Sequence, residues 1–283
     1  MEAAIRNGTH YCDIAGEVHF MRKTTATLHA AAAAKSVKVV HSCGFDSVPS
    51  DLGTLLLAQH MRQKLGRGCA RVDLLVNDIK GAQSGGSLQS MFEQYLLPTE
   101  EVALCADPFC LNPPLPAGGT MREATADERD HYGFRYNSRL KRWTYPFQFA
   151  AINARVVRRS NGFLQYSPNF KCAAVHPSPR QLAPAAPADR PRPVRRYSEA
   201  HEAEGPIDAM LGAIGHTCVH LFTTVGFLRA IVTPMLPKPG DGPPEAFRER
   251  NRWKFTLHGW TQEEPPAKGK LCEVRYVLCV ASM

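Results

Sequence analysis

The stretch from Val37 to Gly53 constrains the fold more than any other part of the sequence. It opens with β-branched residues that predict a short buried strand ending at His41. Ser42 to Ser50 then forms a tight polar loop, in which Gly44 permits a sharp turn. The last serine of this loop, or Asp51 after it, is suited to cap the leucine-rich helix that follows. A strand, a polar loop and a capped helix form a ligand site in many open parallel sheets, and they also form ordinary strand-to-helix connections.

The residues before this stretch predict a parallel pairing of strands. His10 to Ile14 is predicted as a strand and Phe20 to Lys35 as a helix, and the strand from Val37 follows. A strand, a helix and a second strand over this length make one βαβ unit. The glycine-rich phosphate turn that opens a dinucleotide-binding fold is found nowhere in the 283 residues.

Composition favours a globular protein of a reducing compartment. Hydrophobic residues make up 44% of the chain, which is enough for a substantial core. The nine cysteines include no C-x-x-C pair, which argues against a disulfide framework and a zinc site and for a cytoplasmic location. We therefore expect no bound metal. The net charge of +8 suits an anionic cofactor, a phospholipid surface or nucleic acid. Because no nucleic-acid-binding motif is present in the sequence, we expect no nucleic-acid partner.

The later chain predicts a mainly antiparallel α+β domain. Arg71 to Asn77 alternates apolar and polar residues, as a half-buried antiparallel strand does. The proline- and glycine-containing region from Pro98 to Ser138 is predicted to be mostly loop. Trp253 to Gly259 and Leu271 to Val280 are predicted to be two strands of an antiparallel pair. Three arginines, at 155, 158 and 159, either clamp a phosphate or line a solvated strand end.

Two segments raise the question of a lipid surface. The proline- and arginine-rich insertion 176–196 is either a solvated linker or a tether for acidic lipid headgroups. Within the apolar segment 207–236, Ala209 to Leu228 carries no formal charge. This run is a helix packed within the protein, a helix on a membrane surface, or a spanning helix.

Several motifs together resemble one known family, the saccharopine dehydrogenase-like oxidoreductases, the group that contains the mycobacterial trans-acting enoyl reductases. The motifs that carry the resemblance occur in the family's order and are Asn7-Gly8-Thr9-His10-Tyr11 with Asp13, Gly16 and Glu17, Ser42-Cys43-Gly44-Phe45-Asp46-Ser47, Pro49-Ser50-Asp51-Leu52-Gly53, Ser84-Gly85-Gly86-Ser87, Asp107-Pro108-Phe109, Val156-Val157-Arg158-Arg159-Ser160 and Pro239-Gly240-Asp241-Gly242-Pro243.

The resemblance implies a fold of two parts. Residues 1–66 would be the remnant of a dinucleotide-binding Rossmann domain with a partial parallel sheet. Residues 67–283 would be a mainly antiparallel α+β domain for substrate binding or dimerisation. Family members also carry an amino-terminal segment with the phosphate turn and a further carboxyl-terminal segment, so the chain is either a fragment or a degenerate paralogue.

The resemblance also implies a site. Gly16 and Glu17 would follow one Rossmann strand, and Ser42, Gly44 and Phe45 the next, so that these residues lie beside the cofactor. Asp46 and Asp51 are the candidate catalytic carboxyls, for orienting substrate or transferring a proton, although a carboxylate next to a helix start is more often simply a cap.

The expected function is hydride transfer from NADP or NAD to a lipid-like substrate in full-length relatives, with no cofactor held by this chain and no activity. The alternative is a non-enzymatic protein on a membrane or a lipid droplet, since a vertebrate branch of the family occurs on lipid droplets. A bare edge on the partial sheet would favour self-association into a homo-oligomer.

Overall fold

The chain folds into a mixed α/β structure with two separate sheets. The computed structural model describes residues 1–66, 68–94, 96–113, 124, 128–164, 166, 196–261 and 271–278. The strands are β1 (Tyr11–Cys12), β2 (Val39–Val40), β3 (Arg71–Lys80), β4 (Arg135–Asn137), β5 (Arg142–Pro146), β6 (Arg196–Ala203), β7 (Arg252–Trp260) and β8 (Leu271–Leu278).

Helices connect these strands and cover one face of the larger sheet. They are α1 (Glu2–Arg6), α2 (Val18–Ala34), α3 (Val48–Leu65), α4 (Gly85–Gln94), α5 (Thr99–Ala106), α6 (Ala150–Leu164), α7 (Pro206–Thr224), α8 (Gly226–Val232) and α9 (Glu245–Arg248), with a 3₁₀ turn at Thr233–Met235.

The smaller sheet is the predicted parallel pair. β1 and β2 run parallel, with Tyr11 opposite Val39 and Cys12 opposite Val40, and α2 makes the crossover between them. Both strands are only two residues long, shorter than the sequence predicted. Ile14 and Val40 are exposed beside this pair, although parallel sheets are normally covered on both faces. A full Rossmann arrangement is therefore not present in these two strands alone.

The larger sheet is mixed, with the order β4-β5-β6-β3-β7-β8. Its central strand corrects one prediction, because β3 is not a half-buried antiparallel strand. β3 pairs in parallel with β6 and antiparallel with β7, and residues 72–76 are all buried. The other pairings are antiparallel, and the predicted hairpin of β7 and β8 is confirmed, with Trp253 opposite Leu278.

The main core lies between α3, α6 and the larger sheet. Leu57 and Met61 on α3 and Leu257 on β7 are fully buried. A Cβ atom at Gly259 would lie 2.6 Å from the Met61 sulfur, so the Met61 side chain packs directly on the strand backbone. α3 begins at Val48 rather than after Ser50 or Asp51, because proline is accommodated in a first helical turn. Ser50 and Asp51 are thus inside the helix and do not cap it.

Other predictions on loops and helices need correction. The region from 98 to 138 contains α5 and β4, so its described part is more ordered than the sequence indicated. The strand predicted near the three arginines is the helix α6. Of the insertion 176–196, all but its last residue lies outside the described residues, and so does the turn predicted before β8.

The uncharged run forms two helices that meet at a sharp bend. Ala209 and Ala213 of α7 are buried, and a Cβ atom at Gly212 would lie 2.7 Å from the Tyr145 ring of β5. α7 therefore packs on the sheet along one face. No single described helix has the length and apolarity to cross a membrane, whereas α7 and the segment Gly226–Met235 meet those criteria as a pair bent by 97°.

Two glycines of α7 give a test of this packing. Gly212→Ala should lower the free energy of unfolding by about 1–3 kcal/mol, since its methyl group would enter the Tyr145 ring. Gly215→Ala should raise it by about 0.5–1 kcal/mol, because nothing lies within 4 Å of that position and alanine is the better helix former. Urea unfolding of both variants measures the difference. Equal effects would show that α7 does not lie on β5.

Candidate functional site

Two loops meet at the carboxyl ends of the parallel strands. The loop 13–17 follows β1, and the loop 41–47 follows β2. Backbone and side-chain hydrogen bonds join them: the Cys43 N–H donates to the Asp13 carbonyl at 2.8 Å, and the Ser42 hydroxyl donates to the Ala15 carbonyl at 2.9 Å. The loops therefore form one surface, at the edge where ligands bind to parallel sheets.

A hydrogen bond between Asp13 and His41 fixes the base of this surface. Asp13 Oδ2 and His41 Nδ1 lie 2.8 Å apart, and the second nitrogen of the ring is 3.0 Å from the Thr24 hydroxyl of α2. Thr24 also donates to the Phe20 carbonyl at 2.8 Å. These contacts tie both strand ends to α2.

The Asp46 carboxyl lies between two of the predicted cofactor residues. A Cβ atom at Gly16 would be 2.9 Å from one of its oxygens, and a Cβ atom at Gly44 would be 2.7 Å from the other. A side chain at either position would displace the Asp46 carboxyl. Three residues that the sequence selected, Gly16, Gly44 and Asp46, are thus brought together.

The electrostatic setting of Asp46 favours its protonated form. Burial raises the pKa of the Asp46 carboxyl, and the nearby Glu17 carboxylate raises it further. Hydrogen bonds from the backbone N–H groups of Asp46 and Ser47 oppose this rise. Glu17, also predicted to lie at the site, accepts a hydrogen bond from the Gly16 N–H at 3.1 Å. The site therefore carries two neighbouring carboxyls.

Ser42 and Phe45 support the loop from within. Ser42 is buried with a left-handed φ of 57°, a conformation that is uncommon for residues other than glycine. The Phe45 ring packs against Trp253 of β7, with centroids 3.7 Å apart, and stacks on Phe255. Its side chain thus anchors the loop to the larger sheet.

Asp51 lies apart from this group, on the side of α3 that faces α6. One of its carboxyl oxygens accepts a hydrogen bond from the Ser160 hydroxyl at 2.9 Å, and the other is buried without a hydrogen-bond partner. Burial raises the pKa of Asp51 to about 6. The contacts of Asp51 are therefore those of a helix–helix interface.

A buried polar network beneath the loops was missed by the sequence analysis. Glu199 of β6 accepts hydrogen bonds from the Ser50 hydroxyl, the Asn153 amide and the Tyr197 hydroxyl, each at 3.1 Å. Burial raises the pKa of Glu199 to about 7, against the opposing effect of these three donors. β6 follows the proline-rich insertion and has a polar sequence, so only its pairing with β3 reveals that Glu199 is interior.

The three arginines of α6 do not form a phosphate clamp. Arg155 makes a bidentate pair with Asp130, at 3.0 and 2.9 Å, and donates to the carbonyls of Cys105 and Ala106. Arg158 donates to two backbone carbonyls, and Arg159 to the carbonyl of Leu111. Arg155 and Arg158 are buried, so the solvated strand end is also wrong for them.

The residues of the two loops do not suit the diphosphate of a nicotinamide dinucleotide. The Glu17 carboxylate would repel a diphosphate, and a diphosphate is bound by glycine-rich turns and helix amino termini. Among the described residues, no group of three or more histidine, cysteine or acidic side chains is arranged to hold a metal ion.

Asp51 makes stability depend on pH. Since its folded pKa is raised, to about 6 from an ordinary 3.8, its protonated form stabilises the fold at low pH, and that contribution is lost as the pH rises through about 6. Asp51→Asn should therefore unfold with a free energy about 2 kcal/mol higher than wild type at pH 8, and with no difference near pH 4. Urea titrations at both pH values measure this, with Glu100→Gln on exposed α5 as control. A constant difference at all pH values would contradict the assignment.

Comparisons with known proteins identify relatives in mycobacteria. The chain is 30% identical over 265 residues to a Mycobacterium tuberculosis protein described as a candidate trans-acting enoyl reductase, an alignment that covers 90% of this chain and 58% of the relative. It is 33% identical over 176 residues to a trans-acting enoyl reductase of Mycobacterium leprae, covering 58% of this chain and 40% of the relative.

A third relative, a trans-acting enoyl reductase of Mycobacterium bovis, is 27% identical over 266 residues, covering 92% of this chain and 59% of the relative. No family model matches the chain. No solved structure matches it. The chain is thus a homologue, over nine-tenths of its length, of mycobacterial proteins named trans-acting enoyl reductases, and it spans 58% of the length of the first of them.

Proposed function

We propose that the chain is the part of a saccharopine dehydrogenase-like oxidoreductase that carries the substrate end of the active site. The reaction is hydride transfer between NADP or NAD and a lipid-like substrate with an enoyl group. The observation that carries this proposal is the Asp46 carboxyl, held between Gly16 and Gly44 at the carboxyl ends of two parallel strands. The similarity to trans-acting enoyl reductases supports the reaction class.

The reduction of an enoyl group needs a hydride and a proton. A nicotinamide cofactor supplies the hydride when it is bound. Asp46 is the proposed proton donor. Burial and the neighbouring Glu17 raise the pKa of its carboxyl, so it stays protonated closer to neutral pH than an ordinary carboxyl does. Gly16 and Gly44 keep the approach to this carboxyl open, since any larger residue would crowd it.

The phosphates of the cofactor have to be held by other residues. The 283 residues contain no glycine-rich phosphate turn, and the arginines of α6 are occupied by carbonyls and by Asp130. We infer that residues outside this chain complete the cofactor site, as the longer relatives would allow. Asp51 stays a predicted catalytic residue, although its hydrogen bond with Ser160 favours a structural role.

Cofactor binding tests this proposal in two steps. Isothermal titration of NADPH into the 283-residue chain should show no binding tighter than a Kd of about 1 mM, because the sequence lacks the glycine-rich phosphate turn and the α6 arginines bind groups of the protein itself. Fusing the preceding segment of the Mycobacterium tuberculosis relative to the amino terminus should restore micromolar binding. Micromolar binding by the 283 residues alone would contradict the claim of an incomplete cofactor site.

The fused protein also allows a test of Asp46. With an α,β-unsaturated acyl thioester as substrate, Asp46→Asn should lower the rate of NADPH oxidation by about 10²–10⁴-fold and leave the affinity for NADPH unchanged. Glu93→Gln, on α4, is the matched control. An Asp46→Asn protein that reduces the thioester at the normal rate would remove Asp46 from the mechanism.

A second candidate function, attachment to a membrane or a lipid droplet, is favoured by the outer face of α7 and α8. Large apolar side chains are exposed there and in the 3₁₀ turn that follows, among them Ile207, Leu211, Phe227 and Met235 at 69%, 59%, 71% and 81%. The inner face of α7 lies on the sheet, so the outer face is free to enter the headgroup region of a bilayer.

Flotation with liposomes separates this candidate from the first. If the outer face is the anchor, a variant with Leu211→Glu and Phe227→Glu should float at least about tenfold less than wild type, because each buried apolar side chain contributes more than 1 kcal/mol. Leu96→Glu, which changes an exposed leucine elsewhere, should float as wild type does. Equal flotation of all three would rule out this face as the anchor.

A further inference from the structure

A buried carboxyl lies directly beneath the candidate site, and nothing in the proposed reaction uses it. Glu199 is only 8% exposed. Its Oε1 accepts hydrogen bonds from Ser50 of α3 and Asn153 of α6, and its Oε2 accepts one from Tyr197 of its own strand. All three partners are themselves buried. Glu199 thus joins α3, α6 and the larger sheet at a single point.

The network continues from Glu199 to the loop that carries Asp46. The Asn153 amide donates to Glu199 through Nδ2 and accepts through Oδ1 from the Ser47 hydroxyl, at 3.1 Å in both cases. Ser47 is fully buried, and its backbone N–H donates to the Gly44 carbonyl at 3.3 Å. Hydrogen bonds therefore run from Glu199 through Asn153 to Ser47, which is covalently joined to Asp46 and bonded to Gly44.

We propose that Glu199 is a positioning residue, which fixes the orientation of the Asn153 amide and, through Ser47, holds the Asp46 carboxyl between Gly16 and Gly44. The hydrogen bonds of Glu199 do not depend on the proposed function. Only the catalytic role of Asp46 rests on it. Glu199 acts through other residues and does not face the ligand surface.

The chemistry of the network explains why a carboxylate suits this position. Three donors converge on Glu199, and a carboxylate offers acceptor sites on both oxygens. A glutamine can keep its oxygen at the Oε1 position, where it accepts from Ser50 and Asn153, and direct its NH₂ group to the Tyr197 hydroxyl oxygen. A methionine of similar length offers neither oxygen. Glu199→Met should therefore leave the Asn153 amide without its acceptor and weaken its hold on the Ser47 hydroxyl.

Neighbouring titratable groups do not replace Glu199 in this role. Tyr197 of β6 is buried, and proximity to Glu199 and Asp51 helps to raise its pKa well above the ordinary value, so it stays a donor. Asp51 of α3 is bonded to Ser160 instead. The partner from α6 is the neutral Asn153. Glu199 is accordingly the ionisable group to which the donors of the network are directed.

Hydrogen exchange measured by mass spectrometry on the full 283-residue chain tests the proposal. In Glu199→Met, amides of residues 42–50 should exchange at least about tenfold faster than in wild type, while amides of β7 keep their rates. Ser47→Ala, which removes only the hydrogen bond between Ser47 and Asn153, should give the same local increase and serves if Glu199→Met does not fold. Tyr197→Phe removes a donor that lies off the path to Asp46 and should leave residues 42–50 as in wild type.

A second measurement reads the carboxyl itself. Carbon NMR of labelled aspartate should show that the pKa of Asp46 falls towards its ordinary value in Glu199→Met and in Ser47→Ala, because burial is the main cause of its rise. Acceleration spread evenly over the whole chain, or an unchanged Asp46 titration in a folded variant, would overturn the proposal. Neither measurement uses a cofactor, so the positioning role can fail while NADPH binding succeeds, or the reverse.

Discussion

The contact of α3 with the larger sheet is the constraint on which the rest of the structure depends. Leu57 and Met61 pack against β7 so closely that Gly259 can carry no side chain. Gly53 in the first half of the helix is similarly close to Leu257, at 3.0 Å for a Cβ atom. Close packing of this kind resists small displacements, since interiors are as dense as organic crystals. This packing therefore fixes the distance between the amino terminus of α3 and the sheet. It also fixes the position of the loop 41–47, which leads into α3.

Part of this arrangement could be predicted from the sequence. The apolar residues of α3, the βαβ unit and the hairpin of β7 and β8 follow from local periodicity, which depends only on neighbouring residues. The grouping of Gly16, Gly44 and Asp46 followed from the resemblance to a family. It is consistent with the structure because two parallel strands end at the same edge.

Other parts depended on contacts between distant residues. Nothing local distinguishes Glu199 from a solvated acidic residue, since its burial comes from its place beside β3 and beneath α3 and α6. Arginine often binds phosphate, so Arg155 was a reasonable candidate for that role. Its actual partner, Asp130, lies 25 residues away in the sequence and is not indicated by any local pattern. The start of α3 was placed too late because Pro49 is compatible with both a loop and a first helical turn.

The ring of Tyr145 has a consequence for the orientation of α7. Because the ring occupies the space where Gly212 lacks a side chain, α7 cannot turn about its own axis without collision. The sheet, and not the surroundings, thus decides which side chains the helix presents outwards. Any surface that contacts this helix therefore meets the same stripe of apolar residues in the same orientation. A partner does not have to rotate or order the helix in order to bind it.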